Sequence, residues 1–463
     1  MVDLNPVKVI RSSSGQVAAV AVQFTMFGIV GAGSGDHENE VRGPFTSLAE
    51  VLADYPDVVA TSGHTGVYRA AYDYFQNGGQ QLYICEYELE TEVTDTQNGT
   101  GAKKEFAITA AAQPEVGTLK VEVNSATLTE GVDYIVDYSN YKVCLKTAPI
   151  TGTGNVVFKF KETTTAHVEA ALASLESVTV NVVCAAYQFN DTMLAKVKDH
   201  CVSATSSGKP RICFLNGVYF DVTDILTMAT SLDSERVAIF ANRCGYYNAS
   251  LADPSQSWLE FKDYAVAEGG IACSNYPWES LHFKAVKGVN WYNQFSSTDL
   301  ATLLSHFINV GFDPDWLLGA GIVTNQAWVI DSTRAFQWID EIRTFDYIDN
   351  TIKSVLTTPA FIGHLKINRP PDMGLLKSSL NTISNALYQV GAVYNPALLK
   401  DRFGVDPVVL PIYDALLAEQ AGSATDVQKS LITNSENSRH ANAYFSYREG
   451  AAIHTIDVYL TPL

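Results

Sequence analysis

Four glycines, Gly28, Gly31, Gly33 and Gly35, follow a strand-like apolar run near the start of the chain. Glycines so placed could cradle a phosphate on backbone N–H groups. Their spacing does not fit GxGxxG, because the first gap is too long, and no Gly-Lys-Ser/Thr comes after them as a P-loop requires. The next residues are Asp36, His37, Glu38, Asn39 and Glu40, whose carboxylates would repel a phosphate. The cluster reads as a strand-end turn. Ser34 is the fourth residue of GAGSG rather than the third, so the nucleophile elbow of a hydrolase is absent. His37 and His64 lie in polar, Gly-containing turns, and the nine histidines form neither HExxH nor an i, i+4 pair. Asp313 and Asp315 read as a turn, and Asp340 and Glu341 as a helix surface. Glu86, Glu88, Glu90 and Glu92 fall at every second position of a strand-like run, which would put all four on one face. Such a row could draw calcium or a basic partner; it reads as a solvated face leading into a linker. The seven cysteines include no CxxC pair, and Cys184 and Cys213 sit in apolar strand-like runs as buried thiols. The sequence therefore offers no catalytic residue, no cofactor site and no metal site, and the chain is not expected to be an enzyme.

The elements that would have to position any chemistry belong to a large ordered protein. The chain has 463 residues, 31 of them basic and 50 acidic, giving a net charge of −19. Its 47% apolar content suits globular cores and excludes a disordered or collagenous chain. The acidic excess argues against direct nucleic-acid binding. No apolar run reaches the roughly 18–20 residues of a spanning helix, so no membrane insertion is expected. The run Val17–Val30, with Lys8 and Arg11 upstream, has the outline of a signal peptide, but Gln23 and Thr25 interrupt it. It reads as two buried strands.

The pattern along the chain predicts a multidomain α/β (mixed α+β) protein. Residues 1–22 form an extended arm. Thr46–Tyr55 is a helix capped by Thr46 or Ser47, and Gly66–Gln76 is a second, with Val67, Ala70, Ala71, Tyr74 and Phe75 on one face. Residues 96–162 alternate apolar and polar positions between GT, EG, SN and TGTG turns, which predicts an all-β, sandwich-like module inserted into the mixed α/β domain of 23–95 and 163–334. In that domain VTVNVVCAA, KPRICFLNG and RVAIFANR alternate with helix-like segments, which suggests βαβ units and a largely parallel sheet. Residues 335–463 carry two long helices and end in a strand pair.

Several segments together resemble the contractile tail sheath proteins of bacteriophages and related contractile injection systems. FGIVGAGSG…VRGPFTSLAEVLADYP looks like the family's strand, small-residue turn, Gly-Pro step and helix. Phe75, Asn77, Gly78 and Gly79 are similar to its Phe-x-Asn-Gly-Gly pattern. Arg343–Leu356 resembles the Arg-x-x-x-Tyr-Ile helix of the C-terminal domain, Leu375–Tyr394 the helix after it, and IHTIDVYL the last strand. The Pro-Pro-Ser-Gly-like turn common mid-chain is missing, and CSNYPWESLHFKAVKG stands there instead. Residues 96–162 are similar to short β-domains of phage structural proteins, through Leu128, Glu130, Gly131, Asp133, Tyr134, Val136, Asp137, Tyr138, Thr147, Ala148, Pro149 and Gly152.

The resemblance implies a sheath core built from both chain ends, with the β module facing outward. It implies hexameric rings stacked helically around an inner tail tube, in a virion or particle assembled in the host cytoplasm, whose contraction drives the tube through a target envelope. The implied partners are further copies of this chain, the tube protein, and baseplate and tail terminator proteins. Neighbouring subunits would stay linked by strand exchange, a mode in which backbone hydrogen bonds tolerate rigid-body motion behind a flexible arm. The arm would contribute Val7, Val9, Ile10, Val17 and Val20, with SSSG as hinge, and the terminal strand Ile453, Ile456, Val458 and Leu460. On the residues alone these termini fit pairing within their own subunit equally well. The helix over 375–393 is implied to face the tube, through Lys377, Ser378, Asn381, Ser384 and Asn385 as exposed positions beside a buried stripe of Leu376, Leu380, Ile383 and Leu387. Two other classes compete: a surface β-rich adhesin on an α/β carrier, and an α/β enzyme using the crevice at strand carboxyl ends.

Overall fold

The computed structural model describes residues 26–55, 64–110, 113–138, 141–217, 222–241, 244–247, 259–261, 263–288, 290–291, 295–313, 321–334, 336–357, 361 and 363–448. They fall into two compact units, one over 26–276 with 280–339, the other over 277–279 with 340–448.

The larger unit opens with β1 (Met26–Gly31), β2 (Val41–Phe45), α1 (Leu48–Asp54), α2 (Gly66–Gln76) and β3 (Gln81–Glu86). Seven short strands come next: β4 (Val93–Gly99), β5 (Glu105–Ala107), β6 (Lys120–Val123), β7 (Ala126–Thr127), β8 (Tyr134–Asp137), β9 (Lys142–Leu145) and β10 (Gly152–Phe160). Alternation resumes with α3 (Thr165–Leu175), β11 (Val182–Ala185), α4 (Asp191–Ser206), β12 (Ile212–Gly217), α5 (Val222–Ser231) and β13 (Val237–Ala241). After β14 (Cys244–Tyr247) and β15 (Leu259–Phe261) come α6 (Tyr264–Ser274), β16 (Asn290–Trp291), α7 (Ser297–Ser305), β17 (Asn309–Phe312) and β18 (Val323–Thr324).

Eight of these strands form one sheet in the order β18-β17-β13-β12-β11-β1-β3-β2. All pairs inside it are parallel except those of the edge strands β2 and β18. The inner strands are apolar on both faces because helices cover both. Consecutive residues of β1 show this: a Cβ on Gly28 would meet Leu175 of α3, while Phe27 packs on Gly269 of α6 on the opposite face. α6 is buried from Tyr264 to Cys273, and its two glycines let it lie close to its neighbours. A side chain at Gly269 would overlap the Phe27 ring, and one at Gly270 the carbonyl of Tyr74 on α2.

The polar pattern of 93–160 gives two small antiparallel sheets, β4-β10-β6-β7 and β5-β9-β8. Phe106 of one meets Phe158 of the other with ring centroids 6.1 Å apart, among buried Val121, Val143 and Val156. The long pairing of β4 with β10, from Val93↔Phe160 onward, ties the two ends of this β module together at its root.

The smaller unit, taken from Asp340, holds α8 (Ile339–Leu356), α9 (Pro370–Gln389), α10 (Pro396–Phe403), β19 (Val408–Val409), α11 (Pro411–Gln420), α12 (Asp426–Ser438) and β20 (Tyr444–Phe445). Tyr347, Ile348, Ile352, Leu380, Ile383 and Leu387 pack α8 on α9, with Trp278 edge-on to Tyr347 at 5.5 Å. A second cluster joins Met373 of α9 to Ile412, Leu416 and Ile432 of α11 and α12. Only two residues of β20 pair, with β19; the stretch 449–463 lies outside the described residues.

Candidate functional site

The glycine turn after β1 is filled by the protein itself. The Glu86 carboxylate, fully buried at the end of β3, accepts the Ser34 N–H at 2.6 Å and the His37 N–H at 2.9 Å. Burial pushes this carboxyl up, while the His37, Ser34 and Gly35 amides pull it back down. Gly33 is required because any Cβ there would overlap the Glu86 carboxylate. An anion-binding nest of N–H groups is therefore present, and its anion is a side chain. The expected row of four outward glutamates is corrected here: β3 ends at Glu86, which turns inward, and only Glu88, Glu90 and Glu92 remain accessible.

The sheet's winding reverses between β1 and β11, the place where open α/β sheets present a ligand crevice beyond their strand ends. In this protein the turn 115–117 of the β module occupies it. A Cβ on Gly66, the first residue of α2, would meet Ala32 O at 3.3 Å and Val116 Cβ at 3.6 Å. Gly117 adopts φ +83° and lies so close to His64 and Thr65 that a Cβ would sit 2.7 Å from each. Beside it Glu115 accepts the Tyr87 hydroxyl at 2.6 Å and the Gln188 amide at 3.3 Å. Burial pushes Glu115 up to about 7 against the pull of those two donors. A second tie runs from α2: Arg69 donates to Glu130 of the module at 2.8 Å, both side chains nearly enclosed at 9% and 8% exposure. Breaking such a pair from one side strands a buried charge.

Under the crevice lies a polar network. Asp263 caps α6, accepting Val266 N at 3.0 Å, and also accepts Tyr187 N at 2.6 Å and the Asn216 amide at 2.8 Å. Asp73 accepts the Tyr187 hydroxyl at 2.8 Å. Asn77 pairs with the backbone of Lys287 through both amide atoms, at 2.8 and 3.3 Å. This explains the Phe-x-Asn-Gly-Gly pattern: Asn77 stitches, Gly78 turns at φ +91°, and Gly79 lies flat against the Tyr74 ring. None of Glu115, Arg69, Asp73 or Asp263 was singled out from sequence. They stand in no motif, and only the fold brings them together.

Other sequence candidates are placed plainly. His37 bonds Glu40 and the Asp54 carbonyl, each at 3.3 Å, and His64 stacks on Tyr68 at 4.5 Å. Asp340, expected on a helix surface, is buried at 7% exposure, as are Arg343, Asp346 and Asp349 of α8. Asp315 lies outside the described residues. Cys184 and Cys213 are buried thiols, and Cys85, Cys144, Cys201 and Cys273 are buried as well.

The strand-exchange residues Val7, Val9, Ile10, Val17, Val20, Ile453, Ile456, Val458 and Leu460 all lie outside the described residues. The α9 candidates separate. Ser378 and Asn385 are exposed, Asn381 is half-buried, and Ser384 is buried at 2%, a correction to its expected exposure. Ser384 directly follows Ile383, and the apolar stripe is wide enough to take both inside. Lys377 turns to α11, 3.1 Å from Asp414 and over the Tyr413 ring. The exposed stripe of α9 is Leu375, Ser378, Thr382, Asn385 and Gln389, at helical spacing.

No protein-family model matches the sequence. No curated protein matches it by sequence. Solved structures do match over the full length. A chain of the anti-feeding prophage baseplate, 6-fold symmetrised, aligns with TM-score 0.58 and 12% identity, covering 99% of this chain and 98% of that one. A chain of the PVC sheath complex, an extracellular contractile injection system in its contracted state, gives 0.57 and 10% identity, covering 98% and 96%. The sheath tail protein of Desulfitobacterium hafniense gives 0.50 and 12%, covering 87% and 92%. Across two units and an inserted β module, this chain has the fold of the contractile tail sheath proteins.

Proposed function

We propose that this protein is the structural subunit of a contractile sheath, not an enzyme. The observation that carries this is the end-to-end fold match to a sheath complex, with neither chain leaving a substantial part unaccounted for. Identical subunits polymerise as stacked hexameric rings around an inner tube. Contraction drives that tube through the target envelope. Baseplate and terminator proteins close the two ends, and the particle or virion assembles in the host cytoplasm. The filled glycine nest and the plugged crevice support a structural role, since both places where an α/β enzyme of this topology would hold a ligand contain the protein's own side chains.

In this reading the arm over 1–22 joins the C-terminal core of 335–463, whose terminal strand pairs with a neighbour. The β module of 96–162 faces away from the tube and travels with the α/β domain as one piece. α9 faces the tube through Ser378, Asn381 and Asn385, polar groups that hold the tube weakly enough to release it. The test is polymerisation of an Ile456→Asp/Val458→Asp variant, followed by sedimentation. The variant should stay as folded subunits while the wild type pellets as polymer. Equal pelleting would refute exchange through the terminal strand.

A further inference from the structure

Where the β module meets the α/β domain, the plug leaves a cavity of about 180 Å³ beside it. That is well below the roughly 300–1,000 Å³ of drug-sized pockets and is the scale of a single side chain. Buried Glu115 and half-exposed Glu162 both line it. Tyr138, Tyr141, Tyr187 and Phe189 wall it. No Lys, Arg or His is among its described lining residues. Arg69 stands 6.0 Å from the centre of the Tyr138 ring, with its charge paired to Glu130. Tyr141 and Tyr187 are both held at φ +51°, a conformation costly for a bulky residue and fixed here by their surroundings. The Tyr141 hydroxyl is locked by Gln113 Oε1 at 2.9 Å, which also accepts the Asn190 amide at 3.2 Å. The walls are thus set before any guest arrives.

Two carboxyl groups among aromatic rings, with no cation to neutralise them, select for positive charge on a short apolar stem. We propose that this cavity binds a primary alkylammonium group. The group is that of a lysine side chain on another protein, a second copy of this chain included, or of a free amine. Its stem lies against the tyrosines and its N–H groups donate to Glu115 and Glu162. The site is separate from the surfaces invoked for assembly and does not depend on the sheath reading.

Met193 also lines the cavity and supplies a reporter, since the chain contains only five methionines. The full-length unassembled protein, ¹³C-labelled at methionine methyls, is titrated with n-butylammonium chloride, and the Met193 signal is assigned by Met193→Leu. Saturable movement of that signal in the millimolar range is expected, weakened at least tenfold by Glu115→Gln and several-fold by Glu162→Gln. Glu162 is half-exposed, so its variant keeps the test open should Glu115→Gln fail to fold. 1-Butanol, of the same length without charge, should not saturate the site. Binding of N-acetyl-lysine methylamide as well as butylammonium identifies a protein lysine as a fitting guest, and binding of butylammonium alone identifies a free amine. No saturation by either amine, equal binding of 1-butanol, or unchanged binding in both Gln variants would overturn the proposal.

Discussion

Glu268→Gln should remove most of one pH dependence from the larger unit. Glu268 is fully buried in α6, where the Thr324 hydroxyl donates to it and Tyr264 lies 2.8 Å from that hydroxyl. Burial pushes its carboxyl from an ordinary 4.5 up to about 8, despite those hydroxyls. The folded value exceeds the unfolded one, so the contribution to stability is full below 4.5 and is lost as pH rises through about 8. At one pKa unit per ~1.4 kcal/mol, the loss from pH 5 to pH 7 is about 2–3 kcal/mol. Glutamine keeps the acceptor for Thr324 and cannot ionise. The assay is urea unfolding followed by tryptophan fluorescence at pH 5, 6, 7 and 8, on dilute unassembled protein. Glu115, near 7, and Asp263, raised to about 6, titrate in the same direction in both proteins, so the difference between the curves isolates Glu268. The variant should gain on the wild type by about 2–3 kcal/mol between pH 5 and pH 7. Parallel curves would refute a buried, protonated Glu268.

Other perturbations rest on the same geometry. Arg69→Met strands Glu130 at the module's root and should cost about 3–5 kcal/mol in denaturant unfolding. Pairing it with Glu130→Leu should restore most of that loss. Gly33→Ala forces a methyl onto Glu86 and should destabilise by about 1–3 kcal/mol, read by the same assay. His200, which accepts from Arg211 at 2.6 Å, is pushed down to about 4 by burial and by that guanidinium. Its contribution is present above its ordinary 6.5 and is lost as pH falls toward 4, so His200→Gln should flatten the acid limb of the stability profile. Ser378→Glu with Asn385→Glu should leave the subunit folded and impair assembly on tubes, scored by electron microscopy; normal assembly would remove α9 from the tube interface.

Local signals carried much of the architecture. Ser47 caps α1 by accepting Glu50 N, as the TSLAE pattern implied, and the 66–76 pattern buries Val67, Ala70, Ala71 and Tyr74 as its period required. Alternating apolar runs and helices marked the parallel sheet, because inner strands covered on both faces must be apolar throughout. Five helices passed unread: α6, α7, α10, α11 and α12 are short and weakly periodic, and four of their N-caps, Asp263, Ser296, Asn395 and Thr425, are common turn residues as well. The glutamate row misled because alternation says which face a residue takes but not where a strand stops. Glu86 is the last strand residue, and its burial depends on a loop fifty residues earlier. The plug and its cavity were invisible for the same reason. Glu115 meets Gln188, and Arg69 meets Glu130, only where the β module packs on the sheet.

The central claim is that this subunit builds a sheath, and negative-stain electron microscopy of the tag-free protein, alone and with its tube protein, tests it most directly. Hollow cylinders with a helical repeat of hexameric rings are the predicted result. Small uniform particles under both conditions would contradict it.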